Sequence, residues 1–198
     1  MLLKKIRKIL SIVEGSSNKL LYVADETAIK IESNNRRTWS PIGQPPLIEK
    51  NGLKDGLKLI GATEISKQYD SITDVYPYSA SITSDEFIVF LQRLLDINSD
   101  KKVYLILDNA KIHKSSTVKA FQEGNKKRLT LIYLPPYSPE LNPQENIWNI
   151  YKACIYTPNS KGNKEVLYDQ TCYFYENLNQ NIELVKGIVN PLEYYKEL

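Results

Sequence analysis

The sequence predicts an α/β protein with a mixed central sheet and helices on both faces of that sheet. Apolar runs of strand length occur along the chain together with longer segments whose apolar residues recur at helical spacing. Several strands precede the first long helix, and beyond that helix strands and helices alternate. Several consecutive strands, followed by strands that alternate with helices, are typical of a mixed sheet covered by helices.

The first part of the chain predicts one short helix and several strands. Apolar residues at helical spacing, with basic residues opposite, predict a lead-in helix over residues 2–13. After a turn, the first strand is predicted over residues 20–27. A second strand is predicted around residues 37–40, before a Pro-containing and Gly-containing turn, and a third over residues 57–65. Residues 76–81 predict a further strand at an edge of the sheet.

Two patterns define the first long helix, which is predicted over residues 84–97. Thr83 and Glu86 match a capping box, which satisfies backbone amides at the start of a helix. Five apolar residues then form one stripe, which is predicted to be buried: Phe87, Phe90, Leu91, Leu94 and Leu95.

Strands and helices alternate in the later part of the chain. A continuous apolar run over residues 103–107 predicts a strand that is covered on both faces. A helix around residues 114–123 and a strand over residues 129–134 follow. Asn142 is predicted to cap the next helix, with Pro143 at its first position, where a missing N–H costs nothing.

Size and composition indicate a soluble globular protein. A chain of 198 residues is long enough for one domain of ordinary size with a real core. The net charge of +3 is too small to establish a nucleic-acid partner, although the basic residues occur in short clusters. The two cysteines match neither a disulfide framework nor a zinc-ligand pattern, which favours a reducing, intracellular setting.

No segment predicts a membrane partner. Apolar residues near the N-terminus are interrupted by Lys and Arg, so they do not form the core of a signal peptide, and no run approaches the length of a membrane span. A helix lying on a membrane surface is an alternative for residues 2–13, but packing onto the following domain explains the same pattern. We therefore expect a cytoplasmic protein.

Three acidic residues occur in positions that suit a metal site. Asp25 and Asp108 each close an apolar strand, and Glu145 lies in the first turn of the helix that Asn142 caps. Magnesium binds carboxylates together with water and phosphate oxygens, and two ions about 4 Å apart can promote an in-line displacement at phosphorus. Each acid also has a structural interpretation, because Asp favours turns and Glu interacts well with the N-terminus of its own helix.

The neighbours of these acids favour the catalytic interpretation. Asp25-Glu26 is followed by Arg-Thr-Trp-Ser-Pro-Ile-Gly-Gln-Pro over residues 37–45. Asp108 lies in Leu-Asp-Asn-Ala-Lys-Ile-His, and Glu145 in Leu-Pro-Pro-Tyr-Ser-Pro-Glu-Leu-Asn-Pro-Gln-Glu-Asn-Ile-Trp. These blocks resemble those of DDE transposase catalytic domains in the mariner-like superfamily, in its bacterial insertion-sequence branch. They fall in the family's order and cover residues 20–155; the last block is highly specific, the second moderately so and the first weak.

The resemblance implies a ribonuclease H-like fold and a site for two Mg²⁺ ions, for which Mn²⁺ can substitute. Asp25, Asp108 and Glu145 would be the catalytic residues and metal ligands. Thirty-six residues separate Asp108 from Glu145, and since the family's usual spacing is about 34, a short insertion near residues 123–127 is expected.

The resemblance also implies the reaction and its partners. Relatives cleave double-stranded DNA at the ends of an element and join the exposed 3′-hydroxyl to target DNA. The active complex is expected to be a homo-oligomer. Because the catalytic blocks begin within the first 25 residues, the helix-turn-helix domain that recognises element ends in relatives is expected on a separate chain.

We expect the chain to divide into three parts. Residues 1–19 form the lead-in helix, residues 20–156 the catalytic domain, and residues 157–198 a helical extension. Weaker patterns in this extension predict helices over residues 164–178 and 180–188.

Several residues near the acids have possible roles in DNA binding. The candidates for contacts to DNA phosphates are Arg36, Arg37, Lys111 and His113. Solvated surface is the alternative for the three cations, and a structural hydrogen bond is the alternative for His113. Glu26 is expected to point to the opposite face of the sheet from Asp25, and Trp148 to pack in the core.

Two other functions remain open from the sequence. One is a different ribonuclease H-like nuclease, acting on RNA–DNA hybrids or branched DNA. The other is a truncated remnant without full catalytic activity that binds DNA or inhibits a complete transposase.

Overall fold

A computed structural model of the protein contains one mixed β-sheet, against which the helices pack. The structure describes residues 2–31, 39–44, 55–136, 138–156, 163–190 and 195. Within these residues the sheet has five strands: β1 (Lys19–Lys30), β2 (Gly56–Glu64), β3 (Ser71–Pro77), β4 (Lys102–Leu107) and β5 (Leu129–Tyr133). Their order across the sheet is β3-β2-β1-β4-β5. The first three strands pair antiparallel, whereas β4 is parallel to both β1 and β5.

Helices cover both faces of this sheet. Those of the described residues are α1 (Leu2–Glu14), α2 (Ser84–Ile97), α3 (Ser116–Gly124), α4 (Gln144–Ile155), α5 (Lys164–Gln180) and α6 (Ile182–Val189). Buried residues of α2 and α3 pack on one face, and those of α1, α4, α5 and α6 pack on the other. The predicted α/β class with a mixed sheet between helices is therefore confirmed. None of the described helices is long and apolar enough to cross a membrane.

The central strands are buried on both faces. Leu20 and Tyr22 of β1 pack toward α2, whereas Leu21 and Val23 pack toward α4. Successive side chains of a strand point to opposite faces, so a strand between two helical layers needs apolar residues at every position. This requirement explains the continuous apolar runs in β1 and β4.

The start of α2 has the predicted capping box. The Thr83 side chain accepts a hydrogen bond from the Asp85 amide at 3.2 Å, and the Glu86 carboxylate accepts one from the Thr83 amide at 2.8 Å. The predicted stripe of this helix is buried, with exposed fractions of 1% or less. The helices predicted in residues 164–178 and 180–188 are also present, as α5 and α6.

The prediction for the edge strand was wrong in its position. The strand begins at Ser71, because the chain turns back sooner after β2 than the sequence indicated. Buried Glu64 holds this turn: its carboxylate accepts hydrogen bonds from the amides of Ser66, Lys67, Gln68 and Tyr69. Tyr69 adopts a positive φ of 54° to complete it.

Two other segments differ from prediction. Trp39 and Ser40 are exposed and lie outside any strand, whereas residues 37 and 38 lie outside the described part of the chain. The turn predicted after them is present, with the Gln44 amide donating to the Pro41 carbonyl at 3.0 Å. The helix predicted over residues 114–123 begins at Ser116, because a 3₁₀ turn (Ile112–Lys114) comes first.

The burial of α2 predicts a contrast between two of its aliphatic residues. Leu91 is fully buried against the sheet, whereas Val89 is 63% exposed. Leu91→Ala should lower the free energy of unfolding by about 2–5 kcal/mol through lost burial and a cavity. Val89→Ala should change it by less than about 0.5 kcal/mol. Urea unfolding of both variants measures the difference, and equal midpoints would contradict this packing.

Candidate active site

Parallel pairing of the two central strands brings two of the predicted acids together. Val23 of β1 lies opposite Ile106 of β4 in this register. Two residues further along, Asp25 comes beside Asp108, which directly follows the end of β4. These carboxylates therefore lie on neighbouring strands, as the sequence predicted.

Helix α4 is anchored to the strand that carries Asp25. The Asn142 side-chain amide donates to the Ala24 carbonyl at 3.0 Å. Its side-chain oxygen accepts a hydrogen bond from the Gln144 amide at 3.2 Å, and Pro143 has helical dihedral angles, as expected for a capping Asn followed by Pro. This joint places Glu145, in the first turn of α4, near Asp25.

The surroundings of Asp25 concentrate negative charge. Burial raises the pKa of the Asp25 carboxyl, and the nearby charges of Glu145 and Glu26 add to this effect, so that the pKa is about 8. Asp108 contributes in the same direction. Clustered carboxylates that repel one another in a partly buried site favour binding of a proton or a metal cation.

Trp148 holds the Asp25 carboxylate from the α4 side. Its indole Nε1–H donates to Asp25 Oδ2 at 3.0 Å, and the ring itself is buried. The prediction that Trp148 packs in the core is confirmed, but the hydrogen bond to Asp25 was not foreseen.

Asp108 has a different environment. Its side chain is 50% exposed, and its Oδ1 accepts a hydrogen bond from the Ala110 amide at 2.8 Å. The His113 side chain lowers the pKa of the Asp108 carboxyl, and the Ala110 amide lowers it further. Together they outweigh partial burial, which raises this pKa. Asp108 is therefore ionised and accessible at neutral pH.

His113 lies between two carboxylates. Its Nε2 is 2.8 Å from Glu26 Oε1, and its Nδ1 is 2.9 Å from Asp108 Oδ1. Burial alone would lower the pKa of His113, but the two carboxylates raise it to about 9. The ring is 1% exposed, so it faces its carboxylate partners rather than solvent. These surroundings favour the structural hydrogen bond that the sequence left open for this residue.

The other candidates for DNA contacts have different positions. Lys111 is exposed on the turn that follows Asp108. Arg36 and Arg37 lie outside the described residues. Glu26 points to the α2 side of the sheet, as predicted, but there it contacts His113.

The carboxylates have the donor chemistry for a divalent cation. Asp25, Asp108 and Glu145 offer the hard oxygen ligands that Mg²⁺ and Mn²⁺ prefer. Across the described ranges, however, no three His, Cys, Asp or Glu side chains form a group that could hold a metal ion. Asp25 is bonded to Trp148 and Asp108 contacts His113. An ion would require the three carboxylates to lie closer together than they do in this structure, with water and phosphate oxygens completing its shell.

A glycine opposite Asp25 makes room for Trp148. Gly61 of β2 pairs with Asp25 across the sheet. A Cβ atom on Gly61 would lie 2.5 Å from Cη2 of Trp148, closer than such contacts allow. A glycine inside a strand often marks such a close approach, so Gly61 was the one sequence signal for an unusual contact beside Asp25.

A comparison with known protein families identifies the chain. The DDE superfamily endonuclease family matches residues 20–166. This chain belongs to that family. The predicted resemblance to DDE transposases is thus confirmed.

Individual relatives agree with this assignment. An uncharacterized 39 kDa protein of insertion element IS630 from Shigella sonnei is 29% identical over 136 residues, which are 68% of this chain and 38% of the relative. The Mos1 strand transfer complex has a TM-score of 0.60 at 15% identity, covering 94% of this chain and 59% of that one. The Mos1 mariner paired end complex with Mn has a TM-score of 0.59 at 15% identity, covering 94% and 60%.

These comparisons differ in what they show. The two structures share the fold of this chain, and the predicted ribonuclease H-like fold is confirmed. The chain spans about 38% of the IS630 relative and about 60% of the Mos1 chains.

The close approach of Trp148 to Gly61 predicts that a methyl group added at Gly61 lowers the stability of the protein. Gly61→Ala should displace the indole from Asp25 and lower the free energy of unfolding by about 1–3 kcal/mol. Gly187→Ala, in α6, is the control, because a Cβ there meets no atom within 4 Å. It should raise that free energy by about 0.5–1 kcal/mol. Urea unfolding tests both, and a neutral Gly61→Ala would contradict the close contact.

Proposed function

We propose that this chain is the catalytic part of a transposase, which cleaves DNA at element ends and joins the 3′-hydroxyl to target DNA. The observation that carries the proposal is the convergence of Asp25 and Asp108 on adjacent parallel strands, with Glu145 close enough to raise the pKa of Asp25. Membership of the DDE superfamily endonuclease family supports it. The insertion-element relative and the Mos1 strand transfer complex are consistent with it.

The three acids would act as ligands of two divalent cations. Bound Mg²⁺ or Mn²⁺ would supply activation of the attacking oxygen and stabilisation of the leaving oxygen. We propose that Asp25 serves both ions and that Asp108 and Glu145 each complete one site. The Mos1 complex solved with Mn supports divalent metal use in this fold.

The reaction would proceed by two displacements at phosphorus. In cleavage, water attacks the phosphodiester and the 3′-oxygen leaves, so that a free 3′-hydroxyl remains. In joining, that hydroxyl attacks a phosphodiester of target DNA, whose own 3′-oxygen leaves. The chain's residues would hold the reacting groups in line.

The remaining parts of the chain would position DNA and partners. We propose that residues 20–156 are the catalytic domain, preceded by the lead-in helix in residues 1–19 and followed by the extension in residues 157–198. Lys111 would contact DNA phosphate, together with Arg36 and Arg37. His113 is omitted from these contacts because it is buried.

End recognition would need another component. Phosphate contacts position DNA, whereas base contacts specify its sequence, and the candidates near this site are suited to phosphate. We propose that a separate chain with a helix-turn-helix domain recognises element ends and that the active complex is a homo-oligomer. The paired end complex of Mos1 is consistent with such an assembly.

The proposed roles of the acids predict loss of activity without loss of fold. Asp25→Asn, Asp108→Asn and Glu145→Gln should each reduce Mg²⁺-dependent or Mn²⁺-dependent nicking of plasmid DNA by at least about 100-fold. The control is Asp100→Asn, which should retain activity, because Asp100 is exposed and lies at the opposite end of β4 from Asp108. Thermal unfolding checks the fold of each variant.

The outcome also distinguishes the alternative functions. Full activity in any of the three acid variants would refute the proposed triad. Absence of nicking by the folded wild type would favour an inactive remnant. Faster cleavage of an RNA–DNA hybrid or a branched DNA than of duplex DNA would favour another ribonuclease H-like nuclease.

The position of Lys111 predicts a salt-dependent role in DNA binding. Lys111→Ala should weaken binding to duplex DNA of any sequence. It should also reduce, by about 1, the slope of the logarithm of the binding constant against the logarithm of salt concentration. Lys127→Ala is the control, because Lys127 is exposed before the start of β5, at the end of the parallel strands away from Asp108. Fluorescence anisotropy between low and moderate salt measures both. An unchanged slope in Lys111→Ala would exclude a phosphate contact.

A further inference from the structure

We infer that Glu26 and His113 are positioning residues that orient the Asp108 carboxylate toward the metal site. This inference rests on the proposed function of Asp108 as a metal ligand. It concerns how the protein determines which oxygen atom of Asp108 is offered to a cation.

The backbone around His113 is held from several sides. The His113 amide donates to the Ala110 carbonyl at 3.1 Å, which closes the 3₁₀ turn. The Tyr133 hydroxyl of β5 donates to the His113 carbonyl at 2.8 Å, and the Ser84 hydroxyl of α2 donates to the Ile112 carbonyl at 2.9 Å. The turn therefore has a defined position relative to the sheet.

The imidazole ring is held as well. It packs against the Phe87 ring, with 4.4 Å between the centroids, and Glu26 Oε1 lies 2.8 Å from its Nε2. Glu26 follows Asp25 in β1, so its Cβ points to the opposite face of the sheet. One dipeptide of β1 thus provides a candidate ligand on one face and a support for His113 on the other.

The contacts to Asp108 all fall on one of its two oxygens. The Ala110 amide donates to Oδ1, and His113 Nδ1 lies 2.9 Å from the same atom. Among the described residues, no hydrogen bond or ion pair reaches Oδ2. This arrangement holds Oδ1 in place and leaves Oδ2 for a cation.

The contact from Nδ1 has further significance because this nitrogen is buried. Within the described residues it has no well-aligned hydrogen-bond acceptor, and Asp108 Oδ1 is the carboxylate oxygen it faces. Buried polar groups without such a partner are costly, so the carboxylate of Asp108 is the group that can stabilise this nitrogen, and the two side chains constrain each other.

Residues that orient a metal ligand typically change metal affinity by about 10–100-fold when they are replaced. Packing of the ring against Phe87 is the competing explanation for a buried histidine here. If packing alone is important, neither ring nitrogen matters and two amide substitutions should have the same effect, whereas the positioning role requires a donor at the place of Nδ1.

The experiment compares His113→Asn with His113→Gln. The Asn amide lies near the position of Nδ1 and keeps a donor toward Asp108, whereas the Gln amide lies near Nε2 and keeps a donor toward Glu26. Both remove the ring contact with Phe87. Mn²⁺ binding to the full chain is measured by electron paramagnetic resonance of the free ion, and half-maximal Mn²⁺ for plasmid nicking is measured in parallel.

We expect His113→Gln to weaken Mn²⁺ binding by about 10-fold or more and His113→Asn by no more than about threefold. DNA binding measured in EDTA should be unchanged in both. Equal Mn²⁺ affinities for the two variants, or wild-type affinity in His113→Gln, would overturn the inference.

Glu26 provides a second pair of variants in case a His113 variant does not fold. Glu26→Gln keeps an oxygen that can accept from Nε2–H and should bind Mn²⁺ within about threefold of the wild type. Glu26→Ala releases the ring and should weaken Mn²⁺ binding by about 10-fold. Thermal unfolding monitors all four variants. Equal affinity of Glu26→Ala and Glu26→Gln would also overturn the inference.

Asp108→Asn separates this inference from the function on which it rests. If the wild type binds Mn²⁺ and Asp108→Asn does not, the proposed metal site stands and the His113 and Glu26 variants test the pair alone. If Asp108→Asn binds Mn²⁺ as tightly as the wild type, the proposed site and the positioning role are both wrong.

Discussion

The parallel pairing of β1 with β4 is the constraint on which the rest of this structure depends. It places Asp25 and Asp108 side by side in the middle of the sheet. Both strands are buried on each face, so their register is set by apolar packing on two sides. A slip of one residue between these strands would turn the Asp108 side chain to the opposite face of the sheet from Asp25, so the packing of the core and the geometry of the candidate active site depend on the same register.

Separate elements then hold each acid. Helix α4 reaches Asp25 through Trp148 and is itself tied to Ala24 through Asn142. The 3₁₀ turn after β4 reaches Asp108 through His113, from the side of the sheet that faces α2. The two carboxylates are thus supported from opposite layers of the protein. Packing in either layer can alter one carboxylate without direct contact with the other.

Periodicity and local motifs were sufficient to predict most of the fold. The apolar runs located β1, β4 and β5, and the capping box located α2, because these signals are local and strong. The start of β3 was missed because it depends on a turn organised by the buried carboxylate of Glu64. The position of the acids followed from the strand ends. The contact of Trp148 with Asp25 and that of Glu26 with His113 could not be predicted, since they join residues 123 and 87 positions apart in the chain.

The indole of Trp148 has a consequence for spectroscopy. The chain contains two tryptophans, and they occupy opposite extremes of environment: Trp148 is 1% exposed and bonded to Asp25, whereas Trp39 is fully exposed. A soluble quencher such as iodide would remove the emission of Trp39 and leave that of Trp148. The remaining fluorescence would report directly on the ionic state of a carboxylate at the centre of the site, without any introduced label.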